Sequence, residues 1–153
     1  MRFLTTLVLT AAFGIAAVAG GPDPILGIWK LDILKSHFSP GPAPQSQTGV
    51  YAASADGMIV TTTTVDAAGR SSTTAFPAKY DGKVYPVTGI DQANAMVLKR
   101  VDESTAEITL QHADNIIAKA QRTVSGDGKT ITITYQESEA EPPVKNVSVY
   151  EKQ

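Results

Sequence analysis

Thr105-Ala106-Glu107-Ile108-Thr109-Leu110-Gln111 alternates without a slip. Ala106, Ile108 and Leu110 fall on one face, and Thr105, Glu107, Thr109 and Gln111 on the other. A period of two is the mark of a half-buried antiparallel strand, because successive side chains of an extended chain point to opposite sides. Further along, Ile131, Ile133 and Tyr135 alternate in the same way with Thr130, Thr132 and Thr134. Between and around these runs stand Asp56-Gly57, Ala68-Gly69, Asp81-Gly82, Thr88-Gly89, Asp102-Glu103, Ala113-Asp114-Asn115 and Gly126-Asp127-Gly128. Turn signals at such short, regular intervals leave room for one strand and its hairpin each time. The expected strands are 26–33, 47–54, 58–65, 71–79, 83–87, 94–101, 105–111, 116–124, 129–136 and 144–151. The predicted fold is all-β: an up-and-down antiparallel barrel of about eight to ten strands.

Composition agrees with the pattern. After residue 19 there are 14 Thr, 11 Val and 10 Ile against 5 Leu. Branching at Cβ suits a pleated surface better than a helix, and the shortage of leucine argues against a helical bundle. The chain has 153 residues, which favours one domain. Its net charge of −2 lacks the basic patch that a nucleic-acid partner requires. There is no cysteine, which removes disulfides, thiol catalysis and thiolate metal sites together. With two histidines, His37 and His112, a multi-histidine metal site is not expected, and neither a metal nor any other cofactor is predicted.

The first residues read as a leader. Met1-Arg2 is a short positive start, Leu4 to Val18 is apolar and uncharged, and Ala17-Val18-Ala19 offers a small-residue cleavage site. This is the layout of a secretory signal peptide, with an uncleaved membrane anchor as the alternative. The expected organisation is a signal peptide at 1–19 and a single barrel domain at 20–153. The expected location is the periplasm or the exterior, without stable membrane insertion after cleavage.

Residues 36–47 break the rhythm. Pro40, Pro42 and Pro44 forbid a helix interior or a central strand, so this stretch is expected to be a long, stiff loop. Glu139-Ala140-Glu141-Pro142-Pro143 reads as an exposed hairpin connection.

Two end motifs carry a resemblance. Gly27-Ile28-Trp29-Lys30-Leu31 resembles the Gly-x-Trp opening of lipocalins and fatty-acid-binding proteins, and Val149-Tyr150-Glu151-Lys152 resembles the closing strand of the latter. The Trp29-Lys30 start, the Pro40-Gly41-Pro42 loop and the Tyr150-Glu151-Lys152 end are similar to those of small exported bacterial lipocalin-like proteins of the calycin type. The resemblance implies a barrel in which Gly27 and Trp29 form a structural plug. In physical terms, Trp29 offers a large rigid apolar surface whose indole N–H needs a partner, and Gly27 permits close backbone approach beside it. In fatty-acid-binding proteins an arginine two residues before the final tyrosine joins it in holding the ligand carboxylate. Here Ser148 stands at that position, and a hydroxyl lacks the charged fork of a guanidinium.

Arg122 is the other cation of interest. It shares parity with Ile116, Ala118, Ala120 and Val124. It either points inward, needing a carboxylate from protein or ligand, or sits at the strand rim with its head in water. Arg100 shares parity with Met96 and Leu98. The small residues Ala95, Ala106, Ala118 and Ala120 are expected inside, leaving room for a cavity.

No catalytic set emerges. No nucleophile elbow, phosphate loop or metalloprotease helix motif occurs in the sequence, so an enzyme is not expected. His37 or His112 could ligate haem, though a turn histidine is more ordinarily a solvated surface group. The Thr61–Thr64 run suggests an ice-binding ladder less than a solvent-facing strand with cross-strand threonine pairs. Asn146-Val147-Ser148 matches a glycosylation acceptor, but lies within an expected strand.

The functional expectation is an exported, lipocalin-like binding protein holding a small apolar or amphipathic molecule in the barrel. The residues expected to meet that ligand are Tyr150, Ser148 and Asn146 on one parity of the last strand, with Tyr135, Arg122 and, over the mouth, Phe38. The alternative is a filled barrel acting through its outer surface as an envelope or secreted interaction module.

Overall fold

The computed structural model describes residues 22–90, 92–137 and 144–153. The leader and the connection at 139–143 lie outside the described residues. Ten strands follow in order: β1 (Gly27–His37), β2 (Ser46–Ser54), β3 (Gly57–Val65), β4 (Ser71–Ala78), β5 (Asp81–Pro86), β6 (Ala95–Arg100), β7 (Thr105–His112), β8 (Asn115–Val124), β9 (Thr130–Glu137) and β10 (Lys145–Lys152). They form one antiparallel sheet in the spatial order β4-β3-β2-β1-β10-β9-β8-β7-β6-β5. The first strand therefore pairs with the last, with Trp29 opposite Lys152 and Leu31 opposite Tyr150. The sheet curls until β4 faces β5, where one isolated bridge, Ala75 to Thr88, joins the edges. The result is a nearly closed ten-stranded barrel.

All ten expected strands are present. The first differs most, running to His37 rather than ending at residue 33, so the proline-bearing loop shortens to 38–45. A bulge between Asp32 and His37 makes this possible. The Ser36 hydroxyl donates to the Asp32 carbonyl at 2.6 Å and accepts the Val149 N–H at 2.9 Å. The extra residues are thus tied to β10 while the ladder re-forms at His37–Val147.

A second bulge changes a parity. β7 and β8 slip between Leu110–Ala118 and Gln111–Ile116. Ile116, expected to share the inner face with Arg122, is instead 44 % exposed, and Ile117 packs against the core. One extra residue in a strand sends every later side chain to the other face. Ala106 and Ala118 are buried and Ala120 is half-buried, all facing inward. Ala95 is half-buried and lies on the outer parity of β6, because Met96 and Leu98 are the buried residues of that strand. The threonine run also divides. Thr63 faces out between Thr48 and Thr73, as cross-strand pairing predicts, but Thr62 faces the barrel interior.

Trp29 belongs to the buried core. Trp29, Ile25, Leu98, Ile131 and Val60 are the largest fully buried side chains. Each contributes on the order of 1.5–3 kcal/mol by leaving water, and more for the indole. The Trp29 indole N–H donates to the Ile25 carbonyl at 2.7 Å, which satisfies the one polar atom of the ring. Gly27, at φ +135°, leaves space that a Cβ would take from the Lys152 stem, 2.9 Å away. The Lys152 ammonium lies 5.0 Å from the centroid of the Trp29 ring. Trp29 is thus buried in the floor of the barrel and tied by its indole to the Asp23–Leu26 segment.

Candidate functional site: the barrel interior

A cavity of about 300 Å³ occupies the barrel above Trp29. Gln47, Gly49 and Tyr51 of β2, Val60 and Thr62 of β3, and Thr74 and Phe76 of β4 form one wall. Met96, Ile108, Leu110 and Ala120 face them, and Ile131, Ile133, Tyr135 and Tyr150 complete the ring. Ile90, from the connection between β5 and β6, also reaches in. The inward positions supply this lining because each strand offers every second residue to the interior. Gly49 has a local role, since a Cβ there would stand 3.2 Å from the Tyr51 ring. The missing side chain gives that ring its place.

Most of the lining is apolar, and the polar exceptions are few and placed. The Tyr150 hydroxyl donates to Gln47 Oε1, reaching over β1 from β10 to β2. The Tyr135 hydroxyl donates to Glu137 Oε1 at 3.3 Å. Burial pushes the Tyr150 phenol up, as does the neighbouring Tyr51, while a hydrogen bond with Ser148 works in the other direction. Burial, with help from Glu137, raises Tyr135 to about 12. Burial also raises Tyr51, against the opposing pull of Arg122. These phenols stay protonated at neutral pH and act as neutral hydrogen-bonding groups.

Arg122 lies just behind this wall. It is 3 % exposed, so the rim alternative gives way to the inward one. Its guanidinium centre lies 5.5 Å from the Tyr51 ring centroid and 5.6 Å from that of Tyr80. Nη2 donates to the Tyr80 hydroxyl, and Nε has no hydrogen-bond partner. None of the ion pairs among the described residues includes Arg122. A guanidinium keeps its charge even in a dry site, so burial without a carboxylate is costly unless something else supplies the anion.

The residues expected to meet the ligand separate into three groups. Tyr150 and Tyr135 are in the cavity wall. Arg122 is inward and adjacent to the wall through Tyr51. Ser148, Asn146 and Phe38 are outside the wall. Ser148 is half-buried and assists Tyr150. Asn146 Oδ1 accepts the Ser39 N–H at 2.9 Å, which pins the proline-bearing loop to β10, and Phe38 packs against the core beside that anchor. Gly27 and Trp29 are in the floor as expected, and Trp29 also touches the cavity.

Sequence reading missed Gln47, Tyr51 and Tyr80. Tyr51 and Gln47 carry a signal in the inner parity of β2, which Gly49 shares. Tyr80 carries none, because it lies in the turn between β4 and β5, where alternation does not apply. His112 is exposed at the end of β7 and His37 is exposed at the end of β1. Among the described residues, no group of three or more His, Asp or Glu side chains is placed to hold a metal ion. No helix of the described residues is long and apolar enough to cross a membrane.

The all-antiparallel, nearly closed barrel with a stoppered end and an internal cavity is compatible with a calycin-like fold. Comparison with known protein families found no match, and comparison with curated proteins found none at a significant level.

Proposed function

We propose that this protein is an exported, lipocalin-like carrier that holds one small amphipathic molecule inside the barrel and does not transform it. The observation that carries this reading is the 300 Å³ cavity with its apolar wall. That volume is at the low end for ligand pockets, which run roughly 300–1,000 Å³. At roughly 30 Å³ or a little less per heavy atom, it suits a ligand of on the order of ten to fifteen such atoms. The unpaired Nε of buried Arg122 supports an acidic head directed toward Tyr51 and the floor, with the apolar part against Ile108, Ile133 and Phe76. A filled barrel working through its outer wall alone fits this interior less well.

Export is inferred from the uncharged Leu4–Val18 run and the Ala17-Val18-Ala19 site. The outer wall carries Lys99, Glu107 and Lys119, all exposed on outward positions, unlike the apolar band of a membrane-spanning barrel. The expected setting is therefore the periplasm or the medium, with the chain in solution.

Trp29 is the only tryptophan and borders the cavity, so its emission reports occupancy directly. Titration with straight-chain acids and alcohols of six to sixteen carbons is expected to shift that emission. Affinity should peak at medium chain length and fall for chains too long for the space. Ala120→Phe, which places a ring in the cavity, should abolish the shift in a protein that still folds. If no chain length alters the emission or adds mass in a native spectrum at millimolar concentration, the carrier reading fails.

A further inference from the structure

At the barrel floor one carboxylate pairs with one guanidinium group, and a tyrosine links that pair to a second guanidinium. Asp23, on the segment before β1, pairs through Oδ2 with Arg100 Nη2. The Arg100 guanidinium lies over the Tyr80 ring, 3.8 Å from its centroid. The Tyr80 hydroxyl in turn accepts from Arg122. Asp23 therefore fixes Arg100, Arg100 fixes the ring, and the ring holds Arg122. The same aspartate uses its other oxygen, Oδ1, to accept the Ile25 N–H at 3.1 Å. Ile25 is fully buried and its carbonyl receives the Trp29 indole. One side chain thus both shapes the stopper and supplies the negative charge nearest the interior cations.

We propose that Asp23 sets how strongly the interior attracts a negatively charged ligand, acting through Arg100 and Tyr80 on Arg122. This rests on the cavity being the ligand site. With Asp23 ionised, the floor carries one net positive charge from the three groups, and Tyr80 holds the Arg122 guanidinium away from the cavity. A ligand carboxylate or sulfonate must draw Arg122 from Tyr80 while Asp23 opposes it. Removing the aspartate charge leaves both guanidinium groups uncompensated and favours the anion, with little effect on an uncharged ligand of the same shape. Asp23 is a positioning and charge-setting residue and does not itself touch the ligand.

Octanoate and octanol form a matched pair of probes, one charged and one not. Asp23→Asn keeps an oxygen for the Ile25 N–H and removes the charge. It is expected to tighten octanoate binding by roughly three- to tenfold, the effect of one unit charge at short range and partial screening, and to leave octanol unchanged. Arg122→Met should erase the preference for octanoate. Equal changes for both probes in Asp23→Asn would mean that the residue only supports the fold, and the proposal would be overturned. A second readout needs no ligand. Burial is the main cause that raises the Tyr80 phenol, and the Asp23 charge adds to it. The phenol, identified in carbon-13 tyrosine spectra by its loss in Tyr80→Phe, should therefore titrate at lower pH in Asp23→Asn than in the unchanged protein. The Trp29 emission should stay constant, showing an intact floor. If neither probe binds any variant, the carrier reading falls, and the Tyr80 titration alone decides whether Asp23 governs the charge there. An unmoved Tyr80 overturns the linkage.

Discussion

β3 and β4 are laced together from Met58–Ala78 to Val65–Ser71, whereas at the seam between β4 and β5, among the described residues, the edges are joined only by Ala75–Thr88, with Thr88 on the segment after β5. At the floor the contrast is sharper still. There Trp29 and Ile25 are fully buried and hydrogen-bonded to one another, and Lys152 lies over the indole. At the seam, closure depends on the short segment after β5 pressing on β4, with the Thr88 hydroxyl donating to the Ala75 carbonyl at 3.2 Å. The floor is held by apolar burial, which many atoms share. The seam is held by backbone fit at two or three residues. Substitutions should therefore cost most stability at the floor, while small changes of shape should matter most at the seam.

The largest effect is expected from Trp29→Ala. Removing a fully buried indole that also stoppers the barrel should lower stability by about 3–5 kcal/mol, measured by the denaturant midpoint. A loss below 1 kcal/mol would mean the floor is not the anchor it is taken to be. At the seam, Gly89→Ala should come next. Gly89 has φ +80°, and a Cβ there would lie 2.3 Å from the Thr73 carbonyl oxygen. The loss should be about 2 kcal/mol, from strain and displacement together. Comparable stability in the variant would show that the segment after β5 moves freely away from β4.

Alkaline pH gives a third comparison, between the buried phenols and water. Burial holds Tyr51 and Tyr150 above the ordinary tyrosine value and Tyr135 at about 12. Below about pH 10 both folded and unfolded chains keep these protons, and the contribution to stability is fully present. As pH rises further, the unfolded chain ionises first, so stability falls through the folded values. The urea midpoint should hold up to about pH 10 and drop as pH rises from there toward about 12, and Tyr150→Phe should make that drop shallower. The smallest effect is expected from Thr88→Val, which removes one exposed hydrogen bond at the seam. It should cost under about 1 kcal/mol, but should speed exchange of the Ala75 and Thr88 region in hydrogen-exchange measurements relative to the β3–β4 ladder.

Much of the scaffold was legible in the chain. Alternation at Thr105–Gln111 and Thr130–Tyr135 located β7 and β9, and the Gly and Asp turns separated their neighbours. The plug at Trp29 was legible as well, since a lone indole near the first strand needs burial and a partner. The site was legible only in part. Parity placed Tyr135 and Tyr150 inward correctly, yet it also pointed to Asn146, which pins a loop, and to Ile116, which a bulge turns outward. Tyr80 and Asp23 lie outside any strand, where no periodicity assigns a face.

The sequence by itself determined the strands, their turns and, where the alternation runs unbroken as in β7 and β9, which residues face inward, because those follow from the two-residue repeat of an extended chain. What stands opposite an inward residue is another matter. That Arg122 meets Tyr51 and Tyr80, that Asp23 reaches Arg100, and that space is left above Trp29 depend on how far the sheet curls and in what register β10 meets β1. Those are properties of the closed barrel, in which residues far apart in the chain come face to face, and only the tertiary structure decided them.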